Sequence, residues 1–291
     1  MRDEKDLRTV SVVPSAAGKM ISRSTSLVSR GLNLIETQQS SEDVTISVQV
    51  QAAEKGHADA QCSLGWDYYL GLGDVPQDYV QAAAWFLKAA DQGWPGGFVA
   101  LGYLYENTEG VKDYTRAAFF YRKAADHGDA EAQTYLGALY ERGRGVPQDE
   151  AQAMAWFRKA ADQGFAHAQF RLGFLYADTN DPRAVDWYLR AADEGHPTAI
   201  AQLAITYELG RGVPQDRVEA YKWWTLASSP LSLESVKLIT DWDDFEKYKS
   251  SRDAMESGLN PQEVSEGQRR ANHWRDAFQK RNGPMSESVS Q

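Results

Sequence analysis

The stretch Gly145-Val146-Pro147-Gln148-Asp149 occurs in nearly the same form at two other places in this chain. The same five letters stand at 212–216, and Val75-Pro76-Gln77-Asp78 repeats the last four of them. Each copy follows a helical pattern that ends in a Tyr and precedes one that holds paired aromatic residues and Ala-Ala. A loop that recurs together with its flanking helices is typical of a repeat array.

Glycines mark the period of this array at intervals of 31 to 37 residues, at Gly56, Gly93, Gly128, Gly164 and Gly195. Each repeat holds two helical segments. The first carries Leu-Gly with a Tyr three positions later, as in Leu136-Gly137 and Tyr140. The fifth copy has Ala204 in place of the Gly. A Gly that is needed for a left-handed turn would not be replaced by Ala so readily. The position therefore indicates a need for a small residue, at a place where another helix passes closely.

The second segment of each repeat carries Ala, aromatic residues three and four positions later, and Ala at the seventh, as in Ala153-Trp156-Phe157-Ala160. This spacing places the apolar residues on one face of an α-helix and does not fit a strand. Asp149 stands where a helix N-cap belongs, with Gln152 at the capping-box spacing. The five-fold recurrence of both segments predicts helix hairpins.

With these motifs the chain resembles the Sel-one-like repeat family, a branch of the tetratricopeptide superfamily. The third repeat, 132–164, matches the family pattern almost letter by letter, whereas the second and fourth depart from it in their loops, at 107–112 and 178–180. The resemblance covers roughly residues 44–229. It implies an all-α fold, a right-handed α-solenoid of about five helix-hairpin repeats with helical caps, in which stacked hairpins bury a shared core.

The composition along the chain divides it into four segments. We expect residues 1–43 to be disordered, because they are rich in Ser, Thr and charge. The solenoid, 44–229, begins with a half-repeat that serves as an N-terminal cap. Residues 230–283 are expected to form C-terminal capping helices, one of which starts cleanly at Asn260-Pro261-Gln262-Glu263. Residues 284–291 are expected to form a flexible tail.

The net charge of −10 and pI of about 5.1 disfavour nucleic acid and anionic membranes as partners. The last helix carries a basic cluster, Arg269-Arg270, Arg275 and Lys280-Arg281, which we interpret as a solvated helix face. No run of 18 apolar residues is present, so we expect no membrane insertion.

Cys62 is the single cysteine, so no intrachain disulfide can form. Secreted members of the resembled family often link each repeat with a cysteine pair. The lack of such pairs points to a reducing compartment, and we expect a cytoplasmic, bacterial protein that is a monomer. A charged start, 1–6, with no apolar stretch after it argues against a signal peptide.

The sequence contains no His-Glu-x-x-His and no Cys-x-x-Cys motif. None of the five histidines fits a metal template, and no phosphate-binding Gly loop is present. Four of the histidines, His57, His127, His167 and His196, are turn or helix-start residues. Some members of the resembled family are described as β-lactam-active, but that chemistry in serine enzymes needs Ser-x-x-Lys, which this sequence lacks. We expect no catalytic residues, no metal and no cofactor.

Partner binding is expected on the concave face, which the first helices usually line. A stripe at i, i+4 and i+7 on these helices has no fixed identity, and positions that are free to differ are those that can read a ligand. The aromatic members are candidate anchors and the acidic members would favour a basic peptide or helix: Trp66, Tyr69, Tyr103, Phe174, Glu106, Glu141 and Glu208. The alternative is that the aromatic residues complete the core between helices.

The sequence therefore predicts a non-catalytic protein-interaction scaffold or adaptor that holds a partner protein or peptide. Two alternatives remain open at this point. One is a secreted or surface effector that binds a host protein or glycan, and the other is a weak β-lactam-binding or β-lactam-hydrolysing enzyme.

Overall fold

The computed structural model describes residues 48–72, 75–229 and 242–282. The expected disordered segment, 1–43, and the expected flexible tail, 284–291, lie outside the described residues. Within the described ranges there are thirteen helices and no strand. The predicted all-α solenoid class of helix-hairpin repeats is confirmed.

The helices belong to two compact units. The first unit ends at Gln163 and contains α1 (48–54), α2 (Ala58–Leu70), α3 (Tyr79–Asp91), α4 (Pro95–Asn107), α5 (Tyr114–Asp126), α6 (Ala130–Arg142) and α7 (Glu150–Asp162). The second unit begins at Gly164 and contains α8 (Ala166–Ala177), α9 (Arg183–Asp193), α10 (Pro197–Leu209), α11 (Arg217–Ala227), α12 (Trp242–Ser257) and α13 (Pro261–Asn282). Within each unit, consecutive repeat helices pack against one another as hairpins.

An Asp is the N-cap of the second helix in four of the five hairpins, whereas Pro182 holds that position in the fourth. Asp149 Oδ1 accepts the backbone N–H of Gln152 at 3.0 Å and so satisfies a free donor at the start of α7. A capping box would use the Gln152 side chain for the N–H of Asp149. That N–H instead donates to the carbonyl of Tyr140 in α6, at 2.9 Å.

The bond from the Asp N–H to the Tyr carbonyl occurs in all five hairpins at 2.8 to 3.1 Å, joining Asp78 to Tyr68, Asp113 to Tyr105, Asp149 to Tyr140, Asp181 to Tyr176 and Asp216 to Tyr207. The altered loop of the second repeat and the shortened loop of the fourth both keep it. The hairpin is therefore closed by main-chain atoms of the first helix and the main-chain N–H of the capping Asp.

The Gln that precedes the Asp closes the end of the first helix. Gln148 Nε2 donates to the carbonyl of Glu141 at 3.0 Å, and Gln77 and Gln215 make the same bond to Tyr69 and Glu208, at 3.0 and 2.7 Å. These carbonyls have no partner within the helix, so the side-chain amide supplies one. The Gln and the Asp are adjacent in the motif, but the Gln caps the end of the first helix and the Asp caps the start of the second.

The glycine of the Leu-Gly pair lies under an aromatic ring of the second helix, as its replacement by Ala204 in the fifth repeat predicted. A Cβ on Gly102 would lie 2.5 Å from Tyr121, and one on Gly173 would lie 2.6 Å from Tyr188. These rings belong to the second aromatic position of each repeat. All five residues at that position are buried: Phe86, Tyr121, Phe157, Tyr188 and Trp224.

The two ends of the described repeats are covered by further helices. Gln61 Nε2 donates to the carbonyl of Ala53 in α1, at 3.0 Å, so the 48–54 helix packs on the first full hairpin. Asn260 caps α13 by accepting from Gln262 and Glu263, and the Glu263 side chain returns a bond to the Asn260 N–H at 2.9 Å. This is the capping box that the sequence predicts, and α13 packs along α11.

Candidate partner-binding surface

The residues of the variable stripe on the first helices differ in how deeply their side chains are buried. Its first members are all buried, at 9% exposure or less: Cys62, Val99, Thr134, Phe170 and Ala201. Its last members are all half-buried: Tyr69, Glu106, Glu141, Ala177 and Glu208. Among the middle members, Trp66 is only 6% exposed, whereas Tyr103 and Phe174 are half-buried. A partner would therefore meet the middle and last members rather than the first.

An aromatic cluster in the first unit brings three of the predicted anchors together. The Trp66 ring lies 5.2 Å from Phe86 of the core, 5.4 Å from Tyr69 and 5.5 Å from Tyr103, measured between centroids. Tyr69 and Tyr103 are 5.7 Å apart, in edge contact. Trp66 therefore forms the base on which the two tyrosine rings rest. Such edge contacts stabilise the arrangement beyond the area they bury.

Tyr79 joins this cluster from the start of α3, with its ring 5.3 Å from Tyr69, and is 36% exposed. Tyr79 is not among the residues predicted from the stripe, because the stripe runs along first helices and Tyr79 lies on a second helix. The available signal was that Tyr79 follows the N-cap Asp78, at a position that varies between repeats: it holds Tyr114 in the second repeat and Glu150, Pro182 and Arg217 in the others. Burial raises the pKa of Tyr103 to about 12 and also raises that of Tyr69, so both hydroxyls stay neutral at physiological pH.

Two of the three predicted acidic residues, Glu106 and Glu208, accept a hydrogen bond within their own hairpin. Glu106 Oε2 accepts the hydroxyl of Tyr121 at 3.0 Å, and Glu208 Oε2 accepts the indole N–H of Trp224 at 2.9 Å. In both cases the donor is the buried second aromatic residue of the same hairpin. Burial also raises the pKa of Glu106. These two carboxylates therefore have a hydrogen-bond donor within the hairpin, besides any charge that they present to a partner protein.

The fourth hairpin lacks this bond because Ala177 stands at the Glu position. The hydroxyl of Tyr188, which is 1% exposed, has no hydrogen-bond partner within the described residues. A buried hydroxyl without a partner costs free energy, typically about 1–3 kcal/mol.

Ala177→Glu is expected to raise the free energy of unfolding by about 1 kcal/mol, because a carboxylate at this position can accept the Tyr188 hydroxyl as Glu106 accepts Tyr121. Urea unfolding of the two proteins measures the gain. The same substitution in a Tyr188→Phe background should give no gain, since the donor is absent. An equal gain in both backgrounds would show that the Tyr188 hydroxyl is not involved.

Two histidines of neighbouring repeats meet in the second unit, which the sequence analysis did not foresee. His196 Nδ1 accepts the N–H of Ala199 at 3.3 Å and so caps α10, which leaves the ring proton on Nε2. That atom lies 3.3 Å from His167 Nδ1, and the His196 ring stacks on Phe170 at 4.7 Å. Burial lowers the pKa of His196 to about 4, so it is neutral at pH 7.

The described residues form no cluster of His, Cys, Asp or Glu that could hold a metal ion. No described helix is both long enough and apolar enough to span a membrane. Burial raises the pKa of the Cys62 thiol to about 12, so this cysteine is not a reactive thiolate.

Comparison with known proteins identifies the repeats. The family model for the Sel1 repeat matches five consecutive segments of the chain, 58–94, 99–129, 130–165, 166–196 and 197–229. The chain belongs to the Sel1 repeat family. Sel1 repeats usually mediate protein interactions, and proteins built from them are generally non-catalytic scaffolds.

This Sel1 repeat protein is similar to a solved structure over most of its length and to a curated protein over a short segment. A crystal structure of a Sel1 repeat protein from Oxalobacter formigenes is 27% identical, with a TM-score of 0.57 over 74% of this chain and 84% of that one. The ERAD-associated E3 ubiquitin-protein ligase component HRD3A of Arabidopsis thaliana is 38% identical over 69 residues, which are 24% of this chain. The matched residues make up 10% of the length of HRD3A.

Proposed function

We propose that this Sel1 repeat protein is a non-catalytic cytoplasmic scaffold that binds a segment of a partner protein on the surface of its first helices. The observation that carries the proposal is the aromatic cluster of the first unit. Tyr69, Tyr79 and Tyr103 are partly exposed side by side above the buried Trp66. Aromatic residues with a desolvated base and an exposed edge are the groups that dominate binding energy in protein interfaces.

The arrangement of the rings also favours binding because it exists before a partner arrives. Each tyrosine is held by at least one neighbouring ring, and the Tyr69 hydroxyl lies 3.4 Å from the Thr108 hydroxyl. Little side-chain entropy is then lost on association. The neutral hydroxyls offer hydrogen bonds at the rim of the apolar surface. The net charge of −10 favours a basic segment as the partner.

A photo-crosslinking amino acid at position 69 tests the surface directly, with the same group at Phe119 as the control. Phe119 is 55% exposed on α5 and does not belong to the cluster. We expect a partner protein to be crosslinked from position 69 and not from position 119. Mass spectrometry of the crosslinked peptide identifies the partner and the segment bound.

The affinity of that purified partner gives a second prediction. Tyr69→Ala with Tyr103→Ala should weaken binding by roughly tenfold or more, since truncated hot-spot side chains cost about 1–2 kcal/mol each. Phe119→Ala should leave the affinity unchanged. Trp66 is not substituted, because its burial would turn the experiment into a test of folding. Equal loss in the double variant and in Phe119→Ala, or an unchanged affinity in the double variant, would contradict the proposed surface.

The cytoplasmic part of the proposal is tested separately by cell fractionation. It is supported by the single buried thiol of Cys62 in a chain with no second cysteine. Recovery of the protein in the culture medium or on the cell surface would contradict it and would favour the effector alternative.

A further inference from the structure

A groove of about 480 Å³ lies in the second unit between α9, α11 and α13. Its apolar surface comes from Leu189 of α9 and from Trp223 and Trp274, whose rings are 5.6 Å apart in edge contact. Trp223 is buried at 1% exposure, whereas Trp274 is half-buried. The groove therefore has a firm aromatic base with one ring that a ligand can reach.

The rim of the groove carries an excess of positive charge. Lys222, Arg269, Arg270 and Arg281 line it, against a single lining carboxylate, Asp193. Arg281 Nη2 pairs with Asp193 at 2.9 Å, so the excess among the lining residues comes from Lys222, Arg269 and Arg270. This sign is opposite to that of the chain as a whole, which carries −10. The basic cluster of the last helix was expected to be a solvated helix face. Arg269, Arg270 and Arg281 of this cluster instead line the groove, whereas Arg275 and Lys280 do not.

Carboxylates behind the rim hold the cations in place. Glu266 accepts from Arg269 at 2.7 Å and from Arg270 at 2.8 Å. Glu219 accepts from Arg270 at 3.1 Å and from Lys222 at 2.6 Å. Asp216 is a third carboxylate, 3.8 Å from Arg270. Three cations thus share three carboxylates, so this network has no net charge, but none of the three carboxylates lines the groove and the cations are the groups that face it.

The guanidinium groups also keep donors outside these ion pairs. Arg269 uses Nε and Nη2 on Glu266, and Arg270 uses Nε on Glu266 and Nη1 on Glu219. Nη1 of Arg269 and Nη2 of Arg270 take no part in them. Because a guanidinium is planar and already oriented here, the remaining N–H groups can bind an incoming carboxylate with little loss of entropy.

We propose that this groove binds an acidic linear segment of a partner protein, with its carboxylates on Arg269 and Arg270 and an apolar side chain against Trp274. Charge complementarity argues for a carboxylate ligand, and the aromatic base argues for an adjacent apolar residue. The acidity of the rest of the chain opposes a long polyanion such as RNA. The groove shares no residue with the tyrosine cluster of the first unit, so the two proposals can be tested separately.

The probe is a pool of short dye-labelled peptides in which Glu and Asp flank a single Leu or Phe. A matched pool has Gln and Asn in place of the acids. We expect the full-length protein to bind the acidic pool and not the amide pool, with binding that weakens as salt is added. Equal binding of both pools, or no binding of the acidic pool, would overturn the proposal.

The variant is Arg269→Gln with Arg270→Gln, and the matched control is Arg275→Gln with Lys280→Gln. Both remove two positive charges from α13, but Arg275 and Lys280 do not line the groove. We expect the first pair to weaken binding of the acidic pool roughly tenfold and the control pair to leave it nearly unchanged. Far-UV circular dichroism checks that both variants keep their helices.

A single-stranded oligonucleotide forms the last arm of the experiment. Tighter binding of the oligonucleotide than of the acidic pool, lost in the groove variant, would overturn the protein ligand and assign the groove to nucleic acid. Equal losses in the groove and control variants would also overturn the proposal, since they would reflect only the net charge of α13.

Discussion

Gly145→Ala is expected to lower the free energy of unfolding by about 3 kcal/mol, the sum of two effects. Gly145 has φ +70°, a left-handed conformation that costs an alanine roughly 1–2 kcal/mol. A Cβ there would also overlap the backbone carbonyl of Tyr114 at the start of α5. Main-chain atoms cannot turn aside as a side chain can, so the loop itself must move, at a further cost of about 1–3 kcal/mol.

The matched control for this substitution is Gly128→Ala. Gly128 has φ +88°, but a Cβ there would have no heavy atom within 4 Å. It should cost only the conformational part, about 1 kcal/mol. Urea unfolding of both variants against the parent protein measures the difference. Similar losses in the two variants would show that the loop at Gly145 has room and that only the backbone angle matters.

The stability of the second unit should depend on pH through His196, by as much as about 3 kcal/mol. Burial lowers its pKa from the ordinary histidine value of 6.5 to about 4 in the folded state. The unfolded chain therefore takes up the proton first as the pH falls. The contribution is fully present above pH 6.5, is lost progressively as the pH falls towards 4, and no longer changes below that, where both states are protonated.

His196→Asn is the control for this prediction, because an Asn side chain can cap α10 without titrating, as Asp129 caps α6 through the N–H of Ala132. Its stability should be lower at pH 7, since the ring stack on Phe170 is lost, but the decline between pH 6.5 and 4 should be smaller than in the parent. The raised pKa values of Asp67 and Asp129 act in the opposite direction and are common to both proteins. Parallel pH profiles would exclude His196 as the source.

The sequence predicts the fold well wherever one local rule is repeated five times. The Leu-Gly column, the N-cap Asp residues and the paired aromatics each follow from the geometry of a single hairpin, and recurrence makes each of them unambiguous. The capping box at Asn260 and Glu263 is equally local. Each of these features involves residues close together in sequence or in the same repeat.

The candidate site was harder to predict because its contacts join positions that the repeat pattern does not align. Tyr79 reaches the cluster from a second helix, and His167 meets His196 across neighbouring repeats. The internal bond of Glu106 requires knowing which ring lies opposite, and that ring differs between repeats. The groove beside Trp274 needs a helix outside the array altogether. None of these contacts can be predicted from the spacing of residues along a single helix.

Because the Asp amide always bonds to the Tyr carbonyl, the length of the loop between the two helices can vary without changing their register. The paired residues are as few as five positions apart, at Tyr176 and Asp181, and as many as ten, at Tyr68 and Asp78, yet the hydrogen bond is the same. The hydrogen bond fixes both ends of the intervening loop on the hairpin. Each repeat can therefore accept a recognition loop of a new length at this place while the two helices keep their alignment.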